Sequence, residues 1–287
     1  MLTTIGKAWY WAQSRIIKIF GDIKFFPAPF FFVYDPGSYR VRGYEVRQVL
    51  EQIRPGDILL RGYNKYLNGY FIPGNFSHAG LYLGQVEPCD KPDGELPENF
   101  EQHFRPGRQM VVHSMAHGVF MEDVIDFCRC DKLLILRFPD RIEVKPEHAS
   151  LSDRSDFTDA EIALAEKLEE AEAIEFREAW PIVRNEALRN VGTPYDFSFN
   201  FKNYNNMSCT EFLQKCIRAL TQFHGVTPIK QRHFGIFNKT IIEPDSYNRE
   251  CFEKVWKSKE VTWIDDAAVQ PTADPKEVAD YLPPEAV

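Results

Sequence analysis

The sequence predicts an α+β domain, and three observations carry that reading. Short alternating runs that read as strands, FSHAGLYLG, MVVHSM and LLILRF, fall in the first half of the chain. Ala- and Glu-rich stretches with helical patterning dominate the second half. No internal repeat is present, so strands and helices belong to one fold rather than to a stacked array. Length and composition agree: 287 residues with 44% hydrophobic and 14% aromatic content supply a sizeable core. A formal net charge of −8 and the lack of a basic stripe argue against nucleic acid as a partner.

Taken in order, residues 1–34 are rich in aromatics and Ile, but Lys7, Arg15, Lys18 and Lys24 interrupt every apolar run. This leaves neither a signal peptide nor a bilayer-spanning stretch. On a helix, Ile5, Trp9, Ala12, Ile16, Phe20 and Ile23 fall close to one face. Two readings fit: a basic amphipathic helix making peripheral membrane contact, or a helix packed on its own domain with Phe25–Phe32 as an extended strap. Packing is the commoner fate of such helices.

Residues 35–54 predict a turn and a short helix, VRQVLEQI, ending before Pro55. RPGDILLRG predicts a turn and a strand, Tyr63–Pro73 an aromatic loop, and FSHAGLYLG another strand. Residues 85–108 are rich in Pro, Asp and Glu and predict a surface insertion. MVVHSM and LLILRF follow as strands, with a helical turn between them around Met121–Phe127. Residues 158–190, with Pro181 inside and Gly192 after, predict two helices; SCTEFLQKCIRAL predicts another, and Pro244–Lys257 a further one. This divides the chain into an N-terminal helix and strap (1–45), a main domain (46–257) and a loosely held tail (258–287).

Six scattered cysteines, Cys89, Cys128, Cys130, Cys209, Cys216 and Cys251, suit buried free thiols in a reducing, cytoplasmic compartment better than a disulfide framework. FCRC lacks the spacing and second pair of a zinc site. Cys209 differs from the others. Ser208 followed by Glu211 before an apolar run forms a capping box, which sets Cys209 in the first turn of a helix. Free amides and the positive end of the helix dipole there lower a thiol's pKa and can hold an oxyanion. A small buried residue at a helix start is the competing reading, and Cys216 illustrates that structural kind.

In FSHAGLYLG, alternation sets Phe76, His78, Gly80 and Tyr82 on one face. His78 is thus a candidate base on a rigid strand, with glycine leaving room for another element. His113 in MVVHSM lies on a strand face with Val111 and Met115. If the two strands pair, His113 can bond one ring nitrogen of His78 and fix its tautomer.

RPGDILLRG, FSHAGLYLG, VVHSMAHGVFMEDVIDF, LLILRFP, a helix ending in VGTPYDFSF, and SCTEFLQKC, in that order, resemble the permuted papain-like amidases of the YaeF/YiiX type, within the NlpC-like superfamily. The resemblance covers roughly residues 50–220. It implies a circularly permuted papain-like fold, with an antiparallel sheet or partial barrel packed against helices. It further implies Cys209 as nucleophile, His78 as base, His113 as the third polar group and Tyr195 beside the thiol to bind substrate or oxyanion. Many permuted members have Glu at the third position, where this chain has His113. The activity implied is hydrolysis of an amide in a small molecule or peptide through a thioester, with no metal or cofactor. Two alternatives stand beside it: a lipid acyl hydrolase or acyltransferase at a membrane surface, and an inactive binding module. Glu122 is the next candidate for the third residue.

Overall fold

The structure is a computed structural model that describes residues 4–27, 30–34, 39–64, 74–91, 100, 104–143, 154–170, 173–197, 204–221, 229–233, 237–248 and 252–262. The chain begins with α1 (Thr4–Gly21), then a hairpin of β1 (Ile23–Pro27) and β2 (Phe30–Tyr34), then α2 (Gly43–Gln52). The strands β3 (Ile58–Gly62), β4 (His78–Gln85), β5 (Gln109–Met115) and β6 (Gly118–Asp123) follow, and a single turn α3 (Val124–Phe127) leads to β7 (Lys132–Arg137). A small pair, β8 (Arg141–Glu143) with β9 (Ala173–Glu175), brackets α4 (Asp159–Glu170) and precedes α5 (Phe176–Arg189). The chain continues through α6 (Cys209–Thr221), the hairpin β10 (Ile229–His233) and β11 (Phe237–Ile241), and β12 (Glu253–Lys257).

Six of these strands form one antiparallel sheet in the order β12-β7-β3-β4-β5-β6. Its two faces follow from the two-residue period of the strands. Ile58, Leu60, Ala79, Leu81, Val112, Leu134 and Leu136 pack with Phe212, Leu213 and Ile217 of α6 and Val183 and Ala187 of α5 in the main core. Leu59, Tyr82, Val111, Leu133 and Ile135 form a second, smaller core with Val49 of α2 and Phe127 of α3. Each fully buried Leu or Ile contributes about 1.5–3 kcal/mol. Helix α6 is further tied to α4, because Arg218 donates to both carboxylate oxygens of Glu161, at 2.7 and 2.9 Å. Such a forked pair fixes orientation as well as distance.

The α+β expectation is met, but several element boundaries move. The predicted helix over Pro244–Lys257 is instead a 3-10 turn, Pro244–Tyr247, followed by β12. Pairing with the open edge of β7 outweighs the local pattern of a five-residue segment. Residues Gly118–Asp123 are a full strand, and only Val124–Phe127 is the helical turn expected around Met121–Phe127. The two predicted helices of 158–190 exist, but Pro181 lies inside α5 and the break falls at β9.

The expected strap is the β1–β2 hairpin. Phe100 and Phe104, in the expected surface insertion, are buried in the main core. Residues 258–261 belong to the domain rather than to the tail, since Ser258 bonds both backbone groups of Leu133 and Val261 is buried. The rest of the tail, residues 65–73 and 92–99, His103 and Cys251 lie outside the described residues.

Candidate active site

The start of α6 is built as the capping box predicts. The Ser208 N–H donates to Glu211 Oε2 at 2.7 Å, and the Glu211 N–H to Ser208 Oγ at 3.4 Å. Three further bonds hold this turn against the sheet and its surroundings. Ser114 Oγ of β5 donates to the Met207 carbonyl at 2.5 Å, the Met207 N–H reaches the Pro194 carbonyl, and the Tyr247 hydroxyl donates to the Thr210 carbonyl. Cys209 is therefore the first residue of a helix whose start is held in place by the surrounding fold.

The Cys209 sulfur is buried and accepts hydrogen bonds from the N–H groups of Ala79 and Thr210. Ala79 directly follows His78, so the thiol rests on the strand that carries the candidate base. Among the described residues the thiol and the His78 ring share no hydrogen bond. Burial pushes the Cys209 thiol up to about 11, against the two amides and Arg61, which lower it. The expectation of a thiolate stabilised by the helix start is thus reversed at rest. A helix terminus offers only partial charge, and removing the sulfur from water costs more.

His78 lies on β4 and His113 on the adjacent β5, both buried, and His78 Nε2 is 2.8 Å from His113 Nδ1. The space beside Gly80 is filled by Phe127 and Val111, for a Cβ at Gly80 would come within 2.8 Å of the Phe127 ring. Phe127 packs within 5.9 Å of the His78 ring centroid and 5.2 Å of that of His113, restricting both rings. On its far side His113 Nε2 is 3.1 Å from Glu122 Oε2 of β6, close in distance though poorly aligned as a hydrogen bond. Glu122 Oε2 also accepts from Arg61 of β3 at 3.0 Å. Arg61, buried and paired with His78 in the strand register, lies over the Phe127 ring at 4.2 Å.

The protonation states of this chain follow from its geometry. Burial raises the Glu122 carboxyl, but His113 and Arg61 outweigh it and hold the group down at about 2. Burial lowers His113 to about 4, with Glu122 pulling the other way. Burial, Arg61 and His113 together hold His78 well below 6.5. At neutral pH Glu122 is therefore an anion and both rings are neutral. An anion 3.1 Å from His113 Nε2 favours the proton there, which leaves His113 Nδ1 as an acceptor. His78 must then donate from Nε2, and its Nδ1 carries the lone pair. Histidine tautomers are assigned here from these partners.

Tyr195 lies in the loop between α5 and α6. Burial raises its phenol well above 10, and Cys209 and Glu211 add to the shift. A protonated phenol near the thiol is a hydrogen-bond donor. Its loop is held by Val119 of β6, which exchanges bonds with Thr193 and Gly192 at 2.8 Å each. Gly118 makes that approach feasible: its φ is +106°, and a Cβ there would lie 2.5 Å from the Thr193 carbonyl oxygen.

The structure thus joins His78 to His113 on the face of the sheet that packs against Phe127. Cys209 belongs to α6, which packs on the Ala79 face, and meets the Ala79 backbone rather than the His78 ring. Glu122, expected as a substitute for His113, adjoins it instead. The sequence reading missed Arg61, Phe127, Asp245 and Tyr247. Asp245 accepts from the N–H groups of Asn75 and Phe76, fixing the approach to His78, while Tyr247 fixes Thr210. A buried-facing Arg in ILLRG was the one available signal for the first; Asp245 acts across 169 residues and had none. His117 is an exposed turn residue. Cys128, Cys130 and Cys216 are buried free thiols and Cys89 an exposed one. No three His, Cys, Asp or Glu side chains group as a metal site among the described residues.

No family model matches the sequence, and no curated protein matches it. Among solved structures the chain is similar to that of the metalloprotein YiiX from Escherichia coli O157:H7, at 15% identity and a TM-score of 0.44. That match covers 72% of this chain and 98% of the other.

Proposed function

We propose that this chain is a cysteine-dependent hydrolase of circularly permuted papain-like type, cleaving an amide through a thioester on Cys209. One observation carries the reading: an oriented line of side chains, Glu122, His113 and His78, ends at the strand on which the Cys209 thiol rests. The order of the parts also supports permutation, since the base strand precedes the nucleophile helix in the chain.

In this mechanism the neutral thiol keeps its proton until substrate binds. This step requires the thiol and the His78 ring to close on one another: His78 Nδ1 then takes the proton as the sulfur attacks the carbonyl, and the new imidazolium is supported through His113 by Glu122. The Cys209 N–H and the Tyr195 phenol hold the oxyanion. Collapse expels the amine, which receives its proton from His78. Water, deprotonated by His78, then cleaves the thioester and releases the acid, and His78 returns that proton to the departing Cys209 sulfur.

The test is to trap the acyl-enzyme. Incubation with an activated ester such as p-nitrophenyl acetate, followed by a rapid acid quench and peptide mass mapping, should show an acyl group on Cys209. The label should vanish in Cys209→Ala and fall sharply in His78→Ala. Acylation confined to exposed Cys89, with Cys209 unmodified, would sink the proposal.

A further inference from the structure

The helix α1 faces the wrong way for a helix that merely packs. Its inner side holds Tyr10, whose hydroxyl accepts from the Tyr195 N–H at 3.1 Å and whose ring meets Phe197 edge-on. Its outer side carries Trp9, Trp11 and Ile16, which are 65%, 62% and 66% exposed. The β1–β2 hairpin continues this pattern, for Phe30 and Phe32 cluster with Phe25 and are themselves 73% and 55% exposed. Among the described residues, eight of the eleven exposed large hydrophobic side chains fall between Trp9 and Tyr34. Single exposed apolar residues are normal, whereas so many within one short segment point to a surface that is covered by something.

Charge decides what covers it. Residues 4–34 contain Lys7, Arg15, Lys18 and Lys24 against a single acid, Asp22, in a chain whose net charge is −8. Arg15 sits over the Trp11 ring at 5.2 Å, so cation and aromatic share one face. A second copy of the chain packing through this segment would bring one net-positive stretch against another, as a two-fold interface places like against like. An anionic bilayer complements both features, with indole and phenyl rings entering the interface and basic groups meeting the headgroups. Among the described residues no helix is long and apolar enough to cross a membrane.

We propose that α1 and the β1–β2 hairpin form a docking surface for an anionic phospholipid bilayer. This concerns binding alone and stands whether or not Cys209 is a nucleophile. The experiment is co-sedimentation of the full chain with vesicles of phosphatidylcholine mixed with phosphatidylserine, against phosphatidylcholine alone. Binding should favour the anionic vesicles by roughly tenfold or more and weaken with added salt. Trp9→Ser combined with Trp11→Ser should reduce it by a similar factor, as should Arg15→Glu, which leaves the apolar surface in place. All three positions are exposed, so thermal melting should be unchanged. Binding to neither vesicle, or binding that none of these substitutions alters, would overturn the proposal. So would a dimer in sedimentation velocity that the Trp substitutions dissolve, which would assign the patch to self-association.

Discussion

At the scale of single residues, the ionised Glu122 sets the state of the whole line. It faces His113 and Arg61 together, and its charge dictates where the protons of two rings lie. Glu122→Gln removes that charge while keeping the shape. We expect kcat to fall by roughly 10²- to 10⁴-fold, the range associated with general acid–base catalysis, with little change in KM. His113→Gln should act through the same chain, so the double variant should lose little more than the worse single one. Additive losses would show that the two residues do not work in series. Thermal melts must accompany the kinetics, because Glu122→Gln also leaves buried Arg61 without its anion.

At the scale of elements, the site depends on a few close backbone approaches. The Gly118 turn brings β6 against the Thr193 segment, which leads to Tyr195 and then to the start of α6. Gly118→Ala would introduce a Cβ 2.5 Å from the Thr193 carbonyl at a φ that side chains rarely adopt. We expect a loss of about 1–3 kcal/mol in urea unfolding. Turnover should fall with it, since the loop carrying Tyr195 must retreat. Full activity with unchanged stability would mean that the loop is positioned from elsewhere.

At the scale of the whole molecule, two neutral histidines in one buried layer link folding to pH. Both bind protons less readily folded than unfolded, so the unfolded chain takes up more protons below pH 6.5. Stability from His113 is fully present above its unfolded value of 6.5 and is lost as pH falls toward about 4. The slope is about 1.4 kcal/mol per pH unit for each such group. Glu243, raised to about 7 by burial and then by Asp245, acts in the opposite direction over much of the same window. The informative quantity is therefore the difference between wild type and His113→Gln. We expect the Tm gap between them to shrink, or to reverse, from pH 7 to pH 4.5. A gap independent of pH would contradict a neutral, buried His113.

The sequence by itself determined the fold class, the capping box that starts α6, and the alternation that gives His78 and His113 to one face of paired strands. These are local properties: a residue spacing of two or three positions either fits a strand or a helix start or it does not. It could not determine that Pro244–Lys257 would abandon a helix for an edge strand, because that choice depends on a partner, β7, more than a hundred residues away. Nor could it show that His113 and Glu122 would adjoin rather than substitute for each other. Residues 113 and 122 meet only because β5 and β6 pair in one register, with Val111 opposite Glu122. The direction of the Cys209 shift was likewise tertiary: the helix start lowers a thiol's pKa, and only the packing of α6 onto β4 supplied the burial that reverses it. The outward face of α1 belongs to the same class. Amphipathicity is written in the sequence, but which side meets the protein was decided by Tyr10 finding Tyr195.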